Sequence, residues 1–192
     1  PAARALRQSL ERDPANPSVL LVLGNALHAL GRPEEAIKSY EEALRLEPKN
    51  AGAHANLGLM QQKLGRPDAA RETMARAIAL APDNPDMHYN AGTVLEAQGH
   101  LDDAASAYRR AIALAPDMVS AHINLGAVHL EADRFEEAVD AYRKAVEIEP
   151  GAALAHANMA SALHALGRYD ESIVANRAAL TIEPENLTAL VN

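Results

Sequence analysis

The stretch PSVLLVLGNALHALGRPEEAIKSYEEALRLEPKN, residues 17–50, decides the fold of this chain. Leucines in its first half recur at intervals of three and four residues, which places them on one face of an α-helix. Apolar residues in its second half follow the same period after a break at Gly31-Arg32-Pro33. Because glycine readily ends a helix and proline suits the first turn of the next, this stretch predicts two helices joined by a tight turn.

The same pattern recurs every 34 residues along the chain. A proline ends the second helix of each period, and a small residue occupies the middle of the first helix. The prolines are Pro14, Pro48, Pro82, Pro116, Pro150 and Pro184. The small residues are Gly24, Gly58, Gly92, Gly126 and Ala160. Columns at one fixed period are the signature of a repeat protein, so the sequence predicts an all-α array of helix-turn-helix repeats.

Five full repeats and two partial ones account for the 192 residues. We expect the full repeats at 17–50, 51–84, 85–118, 119–152 and 153–186. Residues 1–16 match only the second helix of a preceding repeat, and residues 187–192 match only the first turns of a following one. We therefore expect a segment of a longer array, with apolar ends that contact other copies end to end.

Glycine marks the turn inside each full repeat except the fourth. A glycine at this place fits the left-handed residue that ends a helix. The four glycines are Gly31, Gly65, Gly99 and Gly167. Asp133 replaces glycine in the fourth repeat, where we expect a slightly different turn. The small residues in the first helices, such as Gly24, predict close approach of the two helices of a repeat, with each small residue facing alanine on the second helix.

Composition excludes several classes of function. The 18 Lys and Arg residues stand against 26 Asp and Glu residues, and the net charge of −8 argues against a nucleic-acid or membrane-surface partner. Cysteine is absent, which excludes disulfides and thiolate zinc sites. No transmembrane segment or signal-peptide core is present, so we expect a cytoplasmic location. Neither a Gly-rich phosphate loop nor a serine-nucleophile motif occurs, and we predict a non-catalytic chain without cofactor or metal.

The repeat columns resemble those of the tetratricopeptide repeat family. Residues 17–50 carry the Leu23-Gly24 pair and Tyr40 where the family has Leu-Gly and an aromatic residue. The other matches in this repeat are Ala36, Ala43 and Pro48. The resemblance implies a right-handed α-solenoid whose first helices line a concave groove, and it implies a protein or an extended peptide as the partner in that groove.

An asparagine recurs in the first helix of successive repeats. It lies two residues before the small residue of that helix, with one apolar residue between them. This asparagine row consists of Asn56, Asn90, Asn124, Asn158 and Asn192, and the first repeat has Val22 instead. An amide offers one acceptor and two donors, so a row of amides can bind the backbone of an extended peptide whatever its side chains. The alternative is that each asparagine bonds locally, to backbone or to the adjacent helix. Further candidate contacts are Asn25, Leu59, Thr93, Leu130 and Tyr89, of which Tyr89 is the best single anchor.

A histidine precedes each of four row asparagines by two residues. These histidines are His54, His88, His122 and His156. The family usually has a large apolar residue at this place, so we interpret them as half-buried spacers hydrogen-bonded to a neighbour. Histidines one repeat apart are too distant to share a zinc ion, whose nitrogen ligands lie about 2.1 Å from the metal.

The combined motif Ala-His-Ala-Asn-Leu-Gly at 53–58 resembles one branch of the family. This branch is the superhelical repeat domain of the O-linked N-acetylglucosamine transferases and their bacterial relatives. There, an inward asparagine ladder holds peptide substrates for a separate glycosyltransferase domain. The resemblance implies that the asparagine row binds peptide for a larger protein of this kind. The alternative function is a non-enzymatic assembly scaffold or self-associating adaptor.

Overall fold

The computed structural model describes residues 2–13 and 15–191. Within these ranges the chain forms twelve α-helices and no β-strand, which confirms the predicted all-α class. None of these helices combines the length and the apolar character that crossing a membrane requires. Pro14 of the proline column and Asn192 of the asparagine row lie outside the described residues.

The chain divides into two compact units, residues 1–98 and residues 99–192. The first unit contains α1 (Ala2–Arg12), α2 (Pro17–Ala29), α3 (Pro33–Leu46), α4 (Ala51–Lys63), α5 (Pro67–Leu80) and α6 (Pro85–Glu96). The second unit contains α7 (Leu101–Leu114), α8 (Val119–Glu131), α9 (Phe135–Ile148), α10 (Ala153–Ala165), α11 (Tyr169–Ile182) and α12 (Leu187–Val191). The division falls inside the predicted repeat 85–118, between α6 and α7.

In the first unit, each helix packs against the helix that follows it. The first helices of successive repeats also contact one another, α2 with α4 and α4 with α6. Leu23 and Leu27 of α2 pack in one core with Ile37 and Tyr40 of α3 and with Met60 of α4. The three- and four-residue spacing of these side chains gives each helix one apolar stripe, which packing against its neighbours buries.

The second unit follows the same scheme. Each helix packs against the next, α8 contacts α10, and α12 lies against both α10 and α11. Val139 and Tyr142 of α9 share a core with Leu163 of α10 and Ala175 of α11. Repeats with few aromatic residues can still form a core because alanine and small aliphatic residues let the helices approach closely.

The turns that join the helices of a repeat share one geometry. The four turn glycines have φ between 69° and 75°, in the left-handed region predicted for them. Asp133 also adopts this conformation, with φ of 56°. The amide of Arg134 donates to the carbonyl of His129 at 2.8 Å, as the amide of Arg32 does to Leu27 at 2.9 Å. The expectation of a different turn in the fourth repeat was therefore wrong, because aspartate tolerates the left-handed conformation better than most residues do.

Two of the small residues of the first helices, Gly24 and Gly126, face tyrosine and not alanine. A Cβ added to Gly126 would lie 2.6 Å from a carbon of the Tyr142 ring, and one added to Gly24 would collide with the Tyr40 ring. Both rings are fully buried. Our expectation of a Gly–Ala contact was wrong at these two positions, because the absent side chain makes room for a flat ring from the second helix.

Candidate partner-binding site

The structure places each described asparagine of the row on the first helix of its repeat. In the first unit, Asn56 lies on α4 and Asn90 on α6. In the second unit, Asn124 lies on α8 and Asn158 on α10. All four side chains are half-buried, so each amide is partly sheltered and still open to a partner on one side.

Asn56 is held by residues of the preceding repeat. Its Nδ2 donates to Oδ1 of Asn25 at 2.9 Å, and the Tyr40 hydroxyl donates to the same oxygen at 2.8 Å. Burial raises the pKa of Tyr40 to about 12, so its hydroxyl keeps its proton and remains a donor at neutral pH. Since the amide group is planar, fixing Nδ2 also fixes the direction of the Asn56 acceptor oxygen.

Asn124 has a similar partner in the second unit. Its Nδ2 donates to the hydroxyl of Tyr108 at 3.3 Å, so a tyrosine of the second helix contacts the asparagine of the following repeat. Tyr108 and Tyr40 occupy the same place in their repeats. These two asparagines therefore fit the local alternative, in which the amide bonds to a neighbouring helix.

Asn90 and Asn158 differ from the other two. Among the described residues, no hydrogen bond is made by either side-chain amide; the hydroxyl of Thr93 donates to the backbone carbonyl of Asn90 at 2.8 Å. Met74 stands in the repeat before Asn90 at the place of the tyrosine, and this buried thioether cannot donate to an amide. The row thus contains two tethered amides and two that keep their full capacity to bind another molecule.

The remaining predicted contacts have mixed surroundings. Tyr89 is half-buried on α6, beside Asn90 in the sequence. Leu59 packs partly against the core of the first unit, and Leu130 packs partly against that of the second. Asn25 is exposed and already accepts two hydrogen bonds. Tyr89 and Asn90 are thus the predicted contacts that lie next to each other with part of each side chain exposed.

The histidine column has a structural role. The Nε2 atom of each histidine lies 2.7–3.1 Å from the carbonyl oxygen of the proline six residues earlier. The pairs are His54–Pro48, His88–Pro82, His122–Pro116 and His156–Pro150. Because a carbonyl only accepts, Nε2 carries the proton and donates. This confirms the interpretation of these residues as hydrogen-bonded spacers, which here connect the first helix to the turn before it.

A buried cluster around His129 was not predicted from the sequence. This residue occupies the place of Leu27 and Leu163 in other repeats, and it is only 3% exposed. Its Nδ1 accepts from Arg134 Nε at 2.9 Å, and Arg109 Nη2 lies 3.2 Å from its Nε2. Burial and the two guanidinium groups lower the pKa of His129. Histidine at a place where other repeats have Leu27 and Leu163 was the signal in the sequence that could have revealed this cluster.

No group of three or more His, Asp and Glu side chains in the described part of the chain is arranged to hold a metal ion. The amides of the asparagine row and the hydroxyls and apolar side chains of the other predicted contacts are groups suited to hydrogen bonds and packing contacts. Such an arrangement can bind a polypeptide.

Comparisons with known proteins agree with the repeat pattern. Models of the tetratricopeptide repeat match residues 2–39, 24–65, 55–118, 89–153 and 129–192. A search of curated proteins gives no significant match.

Solved structures of repeat proteins are similar to this chain over nearly their whole length. A crystal structure of MamA is 26% identical, with a TM-score of 0.75 over 85% of this chain and 95% of that one. YrrB, described as a TPR protein with an unusual peptide-binding site, is 22% identical, with a TM-score of 0.72 over 98% and 97% of the two chains. PilW, a type IV pilus biogenesis factor, is 20% identical, with a TM-score of 0.89 over 98% and 87%. The chain belongs to the tetratricopeptide repeat family.

Proposed function

We propose that this chain is a protein-interaction module that binds an extended segment of a partner through the asparagine row. The observation that carries the proposal is the state of Asn90 and Asn158. Each is half-buried on a first helix and makes no side-chain hydrogen bond among the described residues. A buried or half-buried amide gains most free energy from a hydrogen bond to a bound molecule, because water satisfies its polar atoms only in part.

The tethered asparagines support the same function in another way. Asn56 presents its acceptor oxygen in a direction that Asn25 has already fixed. A group that is held in place before binding loses less conformational entropy when the partner arrives. The row therefore combines preorganised and unengaged amides, which suits recognition of a peptide backbone. The relative YrrB, whose description names a peptide-binding site, lends support to this reading.

Substitution of the two unengaged asparagines tests the proposal. Peptides that bind the wild-type chain are selected from a random library, and their affinity is measured by fluorescence polarisation. Asn90→Ala with Asn158→Ala should weaken binding about tenfold, since each lost hydrogen bond contributes about 0.5–1.5 kcal/mol. The melting temperature should stay unchanged, because neither amide bonds within the chain.

Two controls separate backbone recognition from other effects. Asn176→Ala removes a half-buried amide from α11, which is the second helix of its repeat. This substitution should leave the affinity for the peptide unchanged. N-methylation of the peptide backbone should weaken binding to the wild type more than to the double variant, whereas alanine substitution of peptide side chains should affect both equally. If every selected peptide bound the wild type and the double variant with equal affinity, the proposal would be overturned. If the double substitution strongly lowered the melting temperature, the row would have a structural role instead.

The resemblance to the O-linked N-acetylglucosamine transferases concerns what happens after binding. In that arrangement the captured segment is presented to a glycosyltransferase domain elsewhere in the protein. The part proposed for the present chain is the capture step, which the binding experiment measures without any catalytic domain.

A second candidate function is an assembly scaffold that binds its own copies, and α11 favours it. Ile173 is 48% exposed, whereas Ile37 and Val139 at the same place in other repeats are 4% and 1% exposed. An exposed isoleucine at a place that is covered in the first and fourth repeats can contact a second copy. Sedimentation velocity over a wide range of concentration should then show association, and Ile173→Lys should abolish it. A constant sedimentation coefficient at all concentrations would exclude self-association.

A further inference from the structure

The second unit contains a groove that no described member of the asparagine row lines. It lies between α9 and α11 above α10, and we call it the α9–α11 groove. Its cavity volume is about 390 Å³, within the range of roughly 300–1,000 Å³ that is typical of ligand pockets. Met159 and Leu163 of α10 form its floor, and Val174, Ala175 and Ala178 of α11 form its wall.

Two residues of α11 make this groove apolar. Val174 and Ala178 are four residues apart and therefore lie on one face of the helix. Other repeats have polar or charged residues at these places. The counterparts of Val174 are Lys38, Glu72, Ser106 and Asp140, and those of Ala178 are Glu42, Arg76, Arg110 and Lys144. Val174 is 67% exposed, so the fifth repeat presents an apolar surface to solvent where the others present polar or charged side chains.

The corresponding place in the preceding repeat is polar. There His129 stands where the groove has Leu163, and Arg109 stands where it has Arg143. His129 contacts Arg109 and Arg134. The groove at this place is therefore apolar in the fifth repeat and polar in the fourth.

Charge at the rim indicates the chemistry of an occupant. Arg143 is paired with Asp140 at 3.0 Å, and Glu171 is paired with Arg168 at 2.6 Å. Asp170, exposed at the same rim, pairs with no cation among the described residues. The surrounding unit, residues 99–192, has seven Lys and Arg residues against fourteen Asp and Glu residues. A positively charged partner is thus complementary to this side of the groove.

We propose that the α9–α11 groove binds a peptide of a partner protein in which a bulky aliphatic or aromatic side chain is followed by arginine or lysine. The bulky side chain enters the cavity between Leu163 and Val174. The cation pairs with the carboxylate of Asp170. This is a second interaction surface, separate from the asparagine row.

Nuclear magnetic resonance of the isotope-labelled chain, titrated with three short unlabelled peptides, tests the proposal. The peptides share one Gly/Ser sequence and differ in a central dipeptide, which is Leu-Arg, Leu-Glu or Ser-Arg. The Leu-Arg peptide should shift the amide resonances of Ala175 and Ala178. Its affinity, measured from these shifts, should be at least tenfold higher than that of either other peptide. Equal affinity for all three, or no shift at these residues, would overturn the proposal. Shifts confined to Asn90 and Asn158 would also overturn it, and they would support the function proposed for the row.

Variants test separately the cavity that holds the bulky side chain and the carboxylate that pairs with the cation. Val174→Asp with Ala178→Lys restores the residues of the fourth repeat and should abolish binding of the Leu-Arg peptide. Asp170→Asn should remove the preference for Leu-Arg over Leu-Glu. Ile182→Asp is the control for the introduced aspartate, because it places one on another exposed apolar residue of α11 that does not line the groove. If Ile182→Asp weakened binding as much as the double variant, the groove would not be the site.

Discussion

At the scale of single residues, histidine has two roles in this chain. The four histidines of the column donate from Nε2 to a proline carbonyl, in one geometry throughout. His129 is instead buried against two guanidinium groups and accepts from Arg134. A neutral imidazole has one acceptor nitrogen, and protonation removes it. A charged His129 would thus lose its hydrogen bond and add a third cation to the cluster.

We therefore expect His129 to make the folded state sensitive to acid. Its ordinary pKa of 6.5 applies in the unfolded chain, and the folded pKa is lower because of burial, Arg134 and Arg109. Above 6.5 both states are neutral at this site and pH has no effect. Below 6.5 the unfolded state binds a proton that the folded state does not, so stability falls with pH until the folded pKa is passed.

Urea unfolding at pH 7.5 and pH 5.5 measures this effect. The loss of unfolding free energy between the two values should be smaller in His129→Leu than in the wild type, since leucine occupies this place in other repeats. His28→Leu, a substitution of an exposed histidine, is the control and should keep the wild-type difference. An identical loss in wild type and His129→Leu would refute the assignment.

At the scale of the helix pair, a tyrosine ring against glycine sets how closely two helices pack. Gly126 and Tyr142 belong to α8 and α9, and the ring occupies the space where a side chain would begin. Glycine within a helix is less favourable than alanine by about 1 kcal/mol. The tight ring contact compensates for this loss, and in the first repeat the same kind of contact positions Tyr40, whose hydroxyl reaches Asn25.

Gly126→Ala should destabilise the chain in spite of the better helix propensity of alanine. The added Cβ would lie 2.6–2.8 Å from three ring carbons of Tyr142, and overpacking of this kind typically reduces stability by about 1–3 kcal/mol. Thermal unfolding measures the change. Gly151→Ala adds a Cβ that meets no atom within 4 Å and is the matched control. A Gly126→Ala protein as stable as Gly151→Ala would show that the contact relaxes easily.

At the scale of the whole molecule, the two compact units differ in charge. Residues 1–98 contain eleven Lys and Arg residues against twelve Asp and Glu residues, so nearly all of the net charge of −8 belongs to residues 99–192. Among the described members of the asparagine row, each unit carries one tethered and one unengaged asparagine. The acidic unit also carries the α9–α11 groove, so the two units present different chemistry to partners.

Most of the fold was predictable because its determinants are local. The 34-residue period, the turn glycines and prolines such as Pro33 and Pro67 depend on backbone stereochemistry and on spacing within one helix. The sequence therefore determined the helices, the glycine turns and the family by itself. It also predicted that the histidine column is structural, since the spacing of the histidines is incompatible with a shared metal.

The tertiary structure decided everything that depends on side chains from different helices meeting. It separated Asn56 and Asn124, which are tethered to neighbouring residues, from Asn90 and Asn158. It placed tyrosine rather than alanine against Gly24, and it brought Arg109 and Arg134 to His129. These pairings depend on the register of one helix against another. A period along the chain does not specify that register, because many registers bury the same apolar stripe.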